Sequence, residues 1–169
     1  MEECSILCTE QERRMQMREI EFRAKILDND EWVYGYYVQG MDFENKPINN
    51  SIVRNTTTIN HVDKTIKQDI YKVDINTLGQ YTGLKDKNGK KIFDGDIIKQ
   101  AYGKFLNGKQ RYIYYCIAYS EEDGCLRAFA NGLTGYSFDI CFARYVINEQ
   151  DLEVVGNIWD NANLLKGEE

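Results

Sequence analysis

Residues that could carry out catalysis are sparse in this chain of 169 residues. A hydrolytic triad needs a nucleophile, a histidine that acts as the base and an acid that orients the histidine. His61 is the only histidine, and it lies in a polar segment that we predict to be a loop. The chain also lacks the glycine-rich GxGxxG and GxxxxGKS patterns that bind phosphates. The sequence therefore predicts no catalytic residue, no cofactor and no enzymatic activity.

Several carboxylates of the central segment could in principle hold a divalent cation, because calcium and magnesium prefer oxygen ligands. A calcium loop has glycine as its sixth residue, and taking Gly89 as that residue places Leu84 where the first carboxylate belongs. Aspartate and glycine are also the residues that tight turns favour. We therefore expect no metal site, and we predict turns instead at Gly83, Asp86, Asn88, Gly89, Asp94, Gly95 and Asp96.

The five cysteines do not indicate a zinc site or a disulfide framework. Their spacings of 3, 8 and 15 intervening residues fit no usual zinc pattern. The chain has no secretory start and no long apolar run, so we expect a cytoplasmic protein with no membrane segment and with reduced thiols. Cys116 and Cys141 are interpreted as small core residues.

The charge balance bears on the class of partner. The chain has 21 basic and 27 acidic residues, a net charge of −6. An acidic surface repels phosphate backbones unless the basic residues gather on one face. Nucleic acid is therefore an unlikely partner, although a local basic patch would change that expectation.

One run of tyrosines is the best candidate for a partner surface. The segment Arg111–Tyr119 is rich in residues that favour strands, and alternate residues of a strand point to opposite faces. Half of its tyrosines should therefore point away from the core, where exposed aromatic rings could fill a peptide groove or stack on bases. The predicted surface consists of Tyr112 and Tyr114 with the basic neighbours Lys104, Lys109 and Arg111.

Short alternating segments between turns predict a mainly β fold of antiparallel strands. Residues 18–26 and 31–39 should form a hairpin, and 69–75 a further strand. The polar stretch 45–60, which holds the only proline, is predicted to be a long excursion over the surface. Later strands recur about every ten residues, as in a small barrel or sandwich. Asp160 could cap a final helical turn that ends near Leu165.

Three segments together resemble the YopX family of phage and prophage proteins. They are MREIEFRAK from Met17, QYTGLKDKNGKKIFDGDIIK from Gln80 and EVVGNIWDNANLL from Glu153. The chain departs from the family at Lys25 and Ile26, where Trp-Asp is common, and residues 1–16 precede the matching part. The resemblance implies a phage or prophage gene and a C-terminal SH3-type barrel, and it implies no activity.

These observations define the expected organisation of the chain. Residues 1–16 are predicted to be a disordered extension before a natural start at Met17. Residues 17–79 should hold the hairpin and the excursion, and residues 80–169 the SH3-like barrel, both around one core. We expect a non-enzymatic module that binds a host or phage protein and could form a homo-oligomer. A nucleic-acid-binding barrel and an enzyme with an unrecognised carboxylate site are the alternatives.

Overall fold

Strands account for most of the chain that the structure, a computed structural model, describes. The described residues are 19–41, 44, 47–57, 66–122, 124–130, 137–139 and 152–166. The predicted extension 1–16, His61 and Cys141 lie outside them. The described strands are β1 (Phe22–Lys25), β2 (Trp32–Met41), β3 (Pro47–Thr57), β4 (Ile66–Lys72), β5 (Gly79–Lys85), β6 (Lys91–Phe93), β7 (Asp96–Lys104), β8 (Gln110–Ser120), β9 (Cys125–Ala130), β10 (Ser137–Asp139) and β11 (Leu152–Asn157).

The strands form two antiparallel sheets. The first has the order β4-β3-β2-β1-β5-β6, and the second has the order β10-β9-β8-β7-β11. The predicted mainly β, antiparallel character is confirmed. Helical structure in the described residues is limited to two short 3₁₀ turns, Ile75–Thr77 and Ala162–Lys166. No helix among the residues that the structure describes has the length and apolarity needed to cross a membrane.

The structure differs from expectation at the polar stretch 45–60. Instead of crossing the surface as a loop, Pro47–Thr57 forms β3, which pairs with β2 on one side and β4 on the other. Ile52 supplies the reason, because this fully buried side chain anchors a strand whose other residues are largely polar. β4 also ends earlier than predicted, at Lys72 rather than Ile75.

Buried side chains form two clusters, one within the first sheet and one that joins Ile92 of β6 to the second sheet. In the first sheet, Ala24, Val33, Ile52 and Val73 are at most 3 % exposed and pack together. An antiparallel bridge between Ile26 and Val73 curls this sheet around the cluster. The second cluster comprises Ile92, Ile98, Tyr115, Ile117, Ala128, Leu152 and Val154.

The chain passes from one sheet to the other at Asp94 and Gly95, between β6 and β7. β5 and β6 belong to the first sheet, because β5 pairs with β1 on one side and with β6 on the other. Gly95 has φ +81°, and a Cβ on it would lie 2.2 Å from the ring of Trp159. Glycine is required here by both its positive φ and this close approach.

A buried ion pair joins the two sheets at this point. The guanidinium of Arg23, in β1, lies 2.6 Å from Oδ1 of Asp96, in β7, and both side chains are almost inaccessible. The same guanidinium lies over the rings of Trp32, at 4.8 Å, and Phe93, at 5.0 Å. We name this contact, comprising Arg23, Trp32, Phe93, Asp96 and Trp159, the seam.

The segment that follows β11 completes the seam. Trp159 packs on Trp32 with ring centroids 5.4 Å apart, and its indole N–H donates to the carbonyl of Asn76. The carboxylate of Asp160 accepts from the indole of Trp32 at 2.9 Å and pairs with Lys25 at 2.7 Å. Asp160 therefore binds the first sheet through its side chain, where the sequence predicted a helix cap.

Candidate interaction surface

The hairpin of β7 and β8 carries an unusual concentration of positive charge. Four basic residues and no acidic residue occur between Asp96 and Glu121, in a chain whose net charge is −6. The basic residues are Lys99, Lys104, Lys109 and Arg111. A local excess of one sign produces a local field that the net charge of the whole chain does not reveal. Lys99 pairs with Glu153 of β11 at 3.3 Å and so adds little to this excess.

Local hydrogen bonds shape the tip of this hairpin. The amide of Phe105 donates to the carbonyl of Lys109 at 2.8 Å, and the amide of Gly108 donates to the carbonyl of Phe105 at 2.9 Å. Gly108 adopts φ +82°, which glycine accepts without strain. These bonds hold Leu106 out from the protein, where it is fully exposed, and leave Phe105 53 % exposed.

The five predicted surface residues lie on this hairpin, but they do not share one face. Tyr112 and Tyr114 are two positions apart and therefore point to the same side of β8. Lys99 of β7 lies opposite Tyr114 in the sheet. Arg111 precedes Tyr112 and so points the opposite way. Lys104 and Lys109 flank the turn. The structure thus gathers these residues around the end of a hairpin rather than on a flat sheet surface.

Cations already cover two aromatic rings of the hairpin. The ammonium of Lys99 lies 4.7 Å from the ring centroid of Tyr112, and the guanidinium of Arg111 lies 5.0 Å from that of Phe105. Cation–π contacts of this kind hold long side chains in place near a surface. Sequence reasoning missed Lys99, Phe105 and Leu106. The absence of acidic residues from 97 to 120 was the available signal.

The remaining tyrosines of β8 divide between core and surface. Tyr115 is buried within the second cluster, whereas Tyr119 is exposed and Tyr114 is half-buried. Cys116 is also half-buried, and burial raises the pKa of its thiol to about 11. A thiol with such a pKa stays protonated near neutral pH and is a poor nucleophile.

Protein donors bind the three carboxylates of the central segment that were considered as metal ligands, which are those of Asp86, Asp94 and Asp96. Burial raises the pKa of Asp86, but hydrogen bonds from three backbone amides outweigh this effect, and the net shift is downward. The amides are those of Val154, Lys90 and Asn88. Asp86 therefore ties the turn before β6 to β11.

The other two aspartates lie at the passage between the sheets. Asp96 accepts from the amide of Phe93 at 2.7 Å besides pairing with Arg23. Burial raises the pKa of Asp96, and it raises the pKa of Asp94 as well, against the attraction of the Arg23 guanidinium. Among the residues that the structure describes, no group of three His, Cys, Asp or Glu side chains could hold a metal ion.

The fold and this surface define an antiparallel two-sheet β protein whose most distinctive exposed feature is a basic, apolar-tipped hairpin. The model of the YopX protein family matches residues 21–166, and the chain belongs to that family. It is also similar to the crystal structure of protein EF1440 from Enterococcus faecalis, with 25% sequence identity and a TM-score of 0.50. That similarity covers 87% of this chain and 98% of the other. No curated protein matches the chain.

Proposed function

We propose that the chain is a non-enzymatic interaction module that binds an acidic surface of a partner protein through the β7–β8 hairpin. The observation that carries the proposal is the fully exposed Leu106 at the tip of a hairpin that has basic and no acidic side chains. A solvated apolar tip contributes nothing to folding, whereas burying it against a partner is favourable by about 2 kcal/mol. The surrounding cations would orient an acidic partner and speed association.

The family resemblance supplies the biological setting of this proposal. It supports a phage or prophage gene and a product that acts in the bacterial cytoplasm on a host or phage protein. It also supports an SH3-type arrangement of the C-terminal strands. In that setting the hairpin would project from a rigid β scaffold, which keeps the entropic cost of binding low.

The charge balance argues against nucleic acid as the main partner. The chain has a net charge of −6, and an acidic surface repels phosphate backbones. The enzymatic alternative gains no support either, since Asp86 and Asp96 are bound to protein donors.

Affinity purification tests the proposal. Tagged protein is isolated from infected or lysogenic cells with and without nuclease, in parallel with a Leu106→Asp variant. A Lys104, Lys109, Arg111 triple alanine variant is the second comparison. We expect a specific protein that survives nuclease treatment and is lost with both variants. A partner retained by both variants would refute the hairpin as the binding surface.

A DNA shift assay separates the main competing class. We expect micromolar protein to leave single- and double-stranded oligonucleotides unshifted even at low ionic strength, where counterion release most favours binding. Tight binding that weakens steeply with salt and disappears in the triple alanine variant would replace the protein partner with nucleic acid.

A further inference from the structure

The outward face of the first sheet carries a row of apolar side chains that nothing in the described structure covers. Tyr36, Val53 and Ile70 lie directly opposite one another across β2, β3 and β4. Opposed residues of antiparallel strands point to the same face. Tyr36 is 58 % exposed and Ile70 is 66 % exposed, so this row faces solvent.

Two further side chains widen this row along β2, at right angles to the line from Tyr36 to Ile70. Val38 continues it on one side and is half exposed. Tyr34 continues it on the other side, where its ring packs edge-on against Phe93 at 5.5 Å. Tyr34 to Val38 spans roughly 13 Å at the rise of a β-strand. The apolar row therefore begins at the seam and runs outward over the curled sheet.

A shallow pocket opens where the row meets the seam. Its volume is about 280 Å³, enough for one large side chain. Two aromatic rings and several charged groups border it, namely Tyr34, Phe93, Glu21, Arg23, Lys90 and Lys91.

The charges around the row are not evenly balanced. Glu21 is neutralised by the ammonium of Lys91 at 2.7 Å, which also binds Glu19 at 2.6 Å. Lys90, beside the pocket, and Lys72, on β4 in the same cross-strand row as Val38, are both exposed. In the described part of the chain no carboxylate lies within ion-pair distance of either ammonium. An exposed lysine without an ion-pair partner among the described residues thus lies at each end of the apolar row, and the carboxylate of Asp96 attracts Lys90 only from a longer distance.

We propose that this face binds an extended segment of a partner protein that has apolar side chains at its centre and acidic side chains at both ends. The site consists of Tyr34, Tyr36, Val38, Val53 and Ile70, with Lys72 and Lys90 at its ends. A strand of four or five residues matches the length of the row. The pocket would receive one large apolar side chain. The site shares no residue with the hairpin and does not depend on the hairpin being functional.

The same charges disfavour a second copy of this chain as the occupant. A twofold dimer would place the face against itself, because the same patch is used on both subunits. Lys72 and Lys90 of each copy would then approach the cations of the other without any acidic partner, and like charges at an interface are unfavourable.

Selection from a displayed library of random dodecapeptides tests the proposal on the full chain. We expect enriched peptides with acidic residues flanking an apolar centre. Ile70→Asp should weaken their binding by about tenfold or more, because it removes an aliphatic side chain that the peptide would bury and adds a negative charge. A Lys72→Glu, Lys90→Glu double variant should lose the same peptides. Leu106→Asp, a matched change on the hairpin, should bind them as the wild type does.

Three results would overturn the inference. They are the enrichment of no peptide, the enrichment of basic peptides, and full retention of binding by Ile70→Asp.

Sedimentation velocity supplies an independent check, since a wild-type dimer that Ile70→Asp dissociates would show that a second copy covers the face. Ile70 is largely exposed, so thermal melting should show that the variant folds as the wild type does. A variant that loses the partner of the hairpin but still binds the peptides, or the reverse, would show that the two sites bind independently.

Discussion

Substitution of Asp96 by alanine should be among the most damaging single changes in this protein. The carboxylate is 1 % exposed, pairs with Arg23 at 2.6 Å and accepts from the amide of Phe93 at 2.7 Å. Asp96→Ala leaves the guanidinium of Arg23, in a residue that is itself 4 % exposed, without its ion-pair partner and with only the more distant carboxylate of Asp94 to attract it. Removing one partner of a buried ion pair costs about 3–5 kcal/mol.

This loss is a large part of the stability expected for one domain, about 5–15 kcal/mol. At roughly 2–4 °C per kcal/mol for a chain of this size, the melting temperature should fall by about 10 °C. Urea unfolding followed by tryptophan fluorescence suits the measurement, because both tryptophans, Trp32 and Trp159, lie in the seam.

A double variant separates the cost of the unpaired charge from the loss of packing. In Arg23→Met with Asp96→Ala, the guanidinium is removed together with its partner. Replacing both members of a buried pair by apolar groups is often nearly neutral. The double variant should therefore be more stable than Asp96→Ala alone. A single variant that loses less than about 1 kcal/mol, or a double variant less stable than the single one, would refute the role assigned to this pair.

Two further predictions concern the passage between the sheets and its pH dependence. Gly95→Ala should destabilise the protein by about 2–4 kcal/mol, because an added Cβ is strained at positive φ and collides with the ring of Trp159. Chemical denaturation measures this loss. Gly108→Ala, with φ +82° and no atom within 4 Å of the added Cβ, should cost only about 1–2 kcal/mol. Equal losses for the two variants would show that the collision with Trp159 contributes nothing. The hydrogen bond from Lys25 is the main reason that the pKa of Asp160 falls to about 2 from 3.8. A carboxyl with a lowered pKa stabilises the fold above its unfolded pKa and loses that contribution as pH falls from about 4 to 2. Thermal melts between pH 5 and 2 should therefore show a smaller drop for Asp160→Asn than for the wild type, and identical drops would contradict this.

Local patterns determined much of the architecture. Alternation along residues 18–26 and 31–39 depends only on neighbouring residues, and it corresponds to β1 and β2 of the structure. Turn chemistry is equally local, since Gly89 and Gly95 both adopt positive φ. The characteristic block from Gln80 made the family recognisable without any structure.

Contacts between distant residues decided what the sequence could not show. Pro47–Thr57 looks like a loop because its residues are mostly polar, and it is a strand because β2 and β4 lie on either side and Ile52 is buried between them. Arg23 and Asp96 are 73 positions apart, and neither carries a local sign that it will be buried against the other. The apolar row at Ile70 likewise exists only through strand register. Sequence patterns report each residue's own preference, whereas burial and charge pairing depend on which strands the fold places side by side.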